Sequence, residues 1–190
     1  MNLKKFIKEN QSRIMIYSLI VIIGFILDRY TKILTINNLE LNKYRQVEII
    51  RGFLYFAYVE NTGGAWSILS NATWLLALIS ISAVVGITYY LFKKKPNMHY
   101  FVSLCLIVSG GAGNLFDRVF YGAVVDFIET YPFGYNFPIF NVADIFVVCG
   151  SFYMIAYMIY EEYKTKNESK KKILTKQELK QKGDKNGRSN

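Results

Sequence analysis

The chain has 190 residues, 52% hydrophobic and 16% aromatic, and a formal net charge of +9. That length allows one domain, and the long apolar runs are those of a membrane protein rather than of a water-soluble core. The positive charge does not point to nucleic acid, because Lys and Arg crowd three places: Lys4, Lys5, Lys8 and Arg13; Lys93 to Lys95; and the tail from Lys164 to Arg188. Such clusters mark cytoplasmic segments of a membrane protein.

A membrane-crossing helix needs about 20 mostly apolar residues. Four stretches qualify: Ile14 to about Ile36, Ala72 to Phe92, His99 to about Tyr121, and Val142 to Tyr160. The basic start followed by an apolar core is like a signal peptide, but no small-x-small cleavage site follows, so the first stretch reads as an uncleaved helix. Placing the basic clusters on one side puts both termini in the cytoplasm and the segments 37–71 and 122–141 on the outer face. Within the first outer segment, Phe53 to Val59 is rich in aromatic and β-branched residues and reads as a strand. The expected architecture is therefore an all-α membrane protein with four transmembrane helices over 14–160 and a small extracellular β-sheet or loop element. Residues 1–13 form a cytoplasmic N-terminus. Residues 161–190 form a basic, polar tail that is expected to be disordered and to lie near anionic lipid.

Cys105 and Cys149 fall inside apolar helices and read as core residues, and His99, the single histidine, reads as an interfacial residue. No metal-ligand spacing surrounds them, which removes zinc hydrolysis and Cys–His catalysis and predicts neither metal nor cofactor.

The polar residues of the helices are the informative ones, since carboxylates at membrane depth mark functional sites by default. Asp28 and Lys32 are four apart at the outer end of the first helix, an arrangement that suits either an ion pair or a role in binding. Asn61 precedes Gly63 and Gly64 just before the second helix. Asn114, Asp117 and Arg118 share one face of the third, where Ser109, Gly110, Gly111 and Gly113 allow close approach. Asp117 is expected to be held in an ion pair with Arg118 or Lys32. Asp126 precedes the fourth helix and Asp144 opens it. Five stretches thus bring polar groups to one level near the outer leaflet. Two close acids can share a proton, one activating water and the other protonating a carbonyl oxygen and then an amine. Membrane acids also suit a proton relay in a small proton-coupled transporter, although such groups usually lie near the midplane within repeats. A non-enzymatic assembly factor with structural ion pairs is a third possibility.

The phrases Asp28-x-x-Thr31-Lys32, Asn61-x-Gly63-x-Ala65, Gly113-Asn114-x-x-Asp117-Arg118, Val125-Asp126-Phe127 and Phe140-Asn141-x-Ala143-Asp144 occur in this order. Together they resemble the bacterial lipoprotein signal peptidases, the type II signal peptidases, from about Ile14 to Tyr160. The resemblance implies a membrane aspartic endopeptidase of the bacterial cell membrane that cleaves prolipoproteins before a diacylglyceryl-modified cysteine. It places the catalytic aspartates on Asp126 and Asp144 and the surrounding polar positions on Asp28, Lys32, Asn61, Gly110, Asn114, Arg118, Asn141 and Ala143. It implies inhibition by the cyclic peptide globomycin and an outer sheet and lid from about Glu40 to Gly64. Nothing in the sequence demands more than a monomer. The chain departs from the family pattern in Ser109-Gly110-Gly111, Gly64 and Ile145, all beside the site.

Overall fold

A computed structural model describes residues 3–40, 46–64, 68–70 and 72–186; Ala65 and part of the expected lid lie outside the described residues, and no side chain is described for Leu3, Glu40 or 173–186. Helix α1 (Leu3–Thr35) ends in a π-helical turn, Ile36–Glu40. Strands β1 (Gln46–Ile50) and β2 (Leu54–Asn61) follow, then α2 (Thr73–Lys94), α3 (Met98–Phe120), β3 (Val124–Thr130) and α4 (Val142–Asn186). All four helices are long and apolar enough to cross a membrane. Their exposed faces are apolar, as with Leu19, Ile26, Leu78, Val85, Phe152 and Ile159, which is what a lipid solvent requires.

Helix α3 is the hub and packs against α1, α2 and α4. Small residues set its approach distances. A Cβ on Gly110 would lie 2.1 Å from the Ala143 carbonyl oxygen of α4, and one on Gly113 would lie 2.6 Å from Asp28 Oδ2 of α1. A Cβ on Gly24 of α1 would lie 2.0 Å from Ser109 Oγ. Without these glycines the polar ends of α1, α3 and α4 could not converge. At the other end, Asn97 caps α3 by accepting from the His99 and Tyr100 amides, and Arg13 Nη2 donates to the Pro96 carbonyl at 2.7 Å. Leu91, Phe101 and Cys105 are fully buried there.

The sheet is antiparallel in the order β1-β2-β3. Strand β2 covers the run expected to be extended. Strand β3 was not expected: it lies in the segment read as an outer connection, and five of its first six residues are buried. Its register places Val59 opposite Asp126. Phe140 pairs with Ile128, folding the β3–α4 connection back along the strand.

Two further expectations are corrected. The tail is not without structure: α4 continues as helix through Asn186. No Gly or Pro occurs from Ser151 to Lys182, the residues are largely good helix formers, and Glu162 pairs with Lys166 one turn on. Cys149 is exposed rather than in the core. His99, in the first turn of α3, stacks on Tyr157 with ring centroids 4.2 Å apart, and its Nδ1 lies 2.8 Å from the Tyr153 hydroxyl.

Glycine substitutions should separate these contacts. Gly110→Ala should lower the thermal midpoint in detergent by a destabilisation of about 1–3 kcal/mol, because its neighbour is rigid backbone. Gly86→Ala, whose Cβ would enter open space, should be neutral or stabilising by up to about 1 kcal/mol.

Candidate active site

Two layers of polar side chains lie where α1, α3, β3 and α4 meet. The lower layer is ionic. Lys32 is fully buried, and its Nζ donates to Asp28 Oδ2 at 2.9 Å and Asn114 Oδ1 at 3.0 Å and lies 2.7 Å from Asp117 Oδ2. An ammonium has three donors and no acceptor, and each has a partner here. Arg29 closes the cluster: Nη1 lies 2.5 Å from Asp117 Oδ1 and Nη2 lies 3.3 Å from Asp28 Oδ2. Its guanidinium sits 5.1 Å from the Phe116 ring centroid. Two acids and two cations cancel, which is the condition for burying them together. Asp28 also accepts from the Ala143 amide at 3.1 Å and so ties α1 to the first turn of α4.

The upper layer holds the two acids expected to be catalytic. Because Asn114 Oδ1 accepts from Lys32, its amide nitrogen must face away. Nδ2 donates to Asp144 Oδ1 at 2.8 Å. Asn141 and Asp144 form a reciprocal capping box at the start of α4: the Asp144 amide donates to Asn141 Oδ1 at 3.0 Å, and the Asn141 amide donates to Asp144 Oδ2 at 3.1 Å. With its oxygen so used, Asn141 turns Nδ2 toward Asp126 Oδ1 at 2.7 Å and Asn114 Oδ1 at 3.0 Å. Asn61 Nδ2 donates to Asp126 Oδ2 at 2.8 Å, and Asn61 Oδ1 accepts from the Gly63 amide. A strand and a helix start thus each present one carboxylate, joined through two asparagines.

Asp126 is buried and Asp144 lines a cavity of about 480 Å³ with it. The remaining walls include Val124, Phe140, Ile145, Val148 and Cys149. Burial pushes Asp126 up to about 7; the hydrogen bond from Asn61 opposes the shift and the nearby Asp144 charge adds to it. Arg118 lines the same cavity, and its Nη2 donates to the Gly63 carbonyl at 3.1 Å.

All ten residues expected at the site converge. Gly110 and Ala143 contribute close packing and a backbone amide rather than side-chain chemistry. Lys32 is the partner of Asp117; Arg118 is not, because adjacent helical residues point about 100° apart. The sequence reading missed Arg29. Charge balance is the signal that could have found it, since two buried acids need two cations and Arg118 is aimed elsewhere. Among the described residues no group of His, Cys, Asp or Glu is arranged to hold a metal ion.

Removing one charge from the ionic layer should be costly. Lys32→Met leaves Asp28 and Asp117 with Arg29 alone and should destabilise by about 3–5 kcal/mol. Lys32→Met/Asp117→Asn should recover part of that loss, as measured by thermal unfolding in detergent.

The profile of the family described as Signal peptidase (SPase) II matches residues 20–160. A lipoprotein signal peptidase of Clostridium novyi (strain NT) is 41% identical over 145 residues, which is 75% of this chain and 97% of that protein. One from Listeria monocytogenes serotype 4b (strain F2365) is 40% identical over 154 residues, 80% of this chain and 98% of that protein. A solved bacterial membrane enzyme, determined in meso at 2.3 Å resolution, superposes with a TM-score of 0.70 at 34% identity, covering 77% of this chain and 88% of that one. With a match that runs from within α1 into α4 and takes in α2, α3, the sheet and every residue of both polar layers, the chain belongs to the signal peptidase II family, a family of multi-pass membrane peptidases.

Proposed function

We propose that this protein removes the signal peptide from prolipoproteins by hydrolysing the bond before a diacylglyceryl-modified cysteine, with Asp126 and Asp144 as an aspartic dyad and water as the nucleophile. The observation that carries this reading is the pair of carboxylates on one cavity, linked through Asn114 and Asn141. Membership of a peptidase family disfavours a transporter that uses the same acids as a proton relay.

In this mechanism Asp126 holds the shared proton and Asp144 is ionised, with the pair titrating as a unit. Asp144 takes a proton from water as the oxygen attacks the scissile carbonyl carbon. Asp126 protonates the carbonyl oxygen, giving a neutral tetrahedral diol. As the C–N bond breaks, Asp144 passes its proton to the amine nitrogen and Asp126 recovers one from the collapsing diol. The peptide leaves as an acid and a new N-terminal cysteine, and no cofactor is consumed. Arg118 and Asn61 position the backbone around the dyad, while Asp28 and Lys32 hold it from below.

The apolar walls of the cavity suit a lipidated substrate. Acyl chains stay in the outer leaflet while the cysteine reaches the acids from the side. The site faces the outer surface of the bacterial cell membrane and both termini lie in the cytoplasm, in keeping with the distribution of Lys and Arg. The enzyme acts as a monomer and is inhibited by globomycin.

Asp126→Asn and Asp144→Asn should each lower kcat on a diacylglyceryl-modified prolipoprotein by about 10²–10⁴-fold while the protein remains folded, as followed by gel shift and thermal unfolding. Unchanged cleavage in either variant contradicts the assignment. Wild-type cleavage should decline as pH rises through about 7, because Asp126 then loses the proton it donates. The same raised pKa stabilises the fold most below the ordinary carboxylate range, and this contribution is lost as pH rises through the folded value. The thermal midpoint should therefore fall between about pH 4 and 7 in wild type and vary less in Asp126→Asn.

A further inference from the structure

Asp126 and Asn61 stand on the wall between two cavities. The apolar one, already described, also contains Asp144 and Arg118. The other, of about 340 Å³, lies across the segment from Phe137 to Ile139, which lines both. Beside Val59 and Tyr135, its distinctive lining adds five polar residues, Glu60, Thr62, Ser70, Glu129 and Asn136, with no Lys or Arg among the described residues that form it. An apolar chamber and a more polar one therefore meet at the same carboxylate.

A cleaved prolipoprotein has the same asymmetry. On one side of its scissile bond is an apolar signal segment, and beyond the lipidated cysteine is a water-soluble polypeptide. We infer that the polar cavity binds the mature side of the substrate, the polypeptide that follows the modified cysteine, and that Glu60 favours a cationic side chain there. The inference rests on the peptidase reading above.

Of the two glutamates, Glu129 is buried and already engaged: Gln46 Nε2 donates to it at 2.8 Å and the Tyr131 hydroxyl at 2.5 Å. Glu60 is exposed, with the Tyr58 hydroxyl donating to it at 2.7 Å. It follows Val59, the strand partner of Asp126. An extended chain advances about 3.3 Å per residue, so a peptide leaving the dyad along β2 reaches Glu60 within one or two residues. The residue immediately after the modified cysteine is the one it should read.

The test uses the full-length enzyme and three diacylglyceryl-modified prolipoproteins that differ only in that residue, as Lys, Gln or Glu. For wild type, kcat/KM should be about fivefold higher for Lys than for Glu, the scale of a partly exposed ion pair, and the ratio should shrink with added salt. Glu60→Gln should bring the ratio to within about twofold, while Glu60→Asp should keep the preference for Lys. Cleavage of all three at equal rates by wild type overturns the inference and leaves the peptidase reading standing. A preference that survives in Glu60→Gln also overturns it. Failure of folded wild type to cut any of the three overturns both.

Discussion

The arrangement depends on one buried ammonium. Lys32 can only donate, so whichever Asn114 atom faces it must be oxygen. That single constraint turns the Asn114 amide toward Asp144. The capping box at the start of α4 then fixes Asn141 in the same way, and its amide turns toward Asp126. Two side chains that could each flip are locked in sequence, and two carboxylates from unrelated elements are held in register. The ionic layer is buried to set orientation, and its own charges cancel.

The fold is organised to make this layer possible at membrane depth. Charged groups there are expensive unless paired, and paired groups need backbone close enough for short contacts. Gly110 and Gly113 on α3 provide the approach, to α4 and α1 respectively. Strand β3 then carries Asp126 over the end of the bundle, where its neighbours are sheet residues and the start of α4. One acid therefore belongs to a helix terminus, with a backbone amide on one oxygen and the Asn114 amide on the other, and the other to a buried strand, where burial pushes it up to about 7. On the proposed mechanism, this difference in environment is what would separate the roles of two chemically identical groups.

The sequence made much of this legible, for specific reasons. The four helices contain long apolar runs punctuated by Lys93 to Lys95, so their number could be read directly, while α1 starts earlier and α4 ends later than the apolar runs do. Asp28 and Lys32 could be paired from their spacing, and Asn141 with Asp144 stood where helix-starting residues stand. Strand β3 was hidden because it is short and its apolar residues, Val124, Val125, Phe127 and Ile128, do not alternate with the polar ones, a pattern shared with a helix end. Arg29 was hidden because it lies on the flank of an apolar helix, and its partner Asp117 is 88 residues away along the chain. The extension of α4 beyond Tyr160 was misread because a Lys-rich segment has the composition of a disordered tail even where its residues favour helix. Tertiary proximity between polar residues far apart in sequence was the least visible part, and it is the part that builds the site.

The most direct test of the central claim counts protons on the acid pair. Infrared difference spectra of the purified enzyme at about pH 6, taken between wild type and Asp126→Asn, should show a protonated-carboxyl stretch in wild type that titrates away through about pH 7 and is missing in the variant. A wild-type spectrum with no such band, or one that Asp126→Asn leaves unchanged, would contradict the account of a single proton held by a pair of acids linked through asparagine.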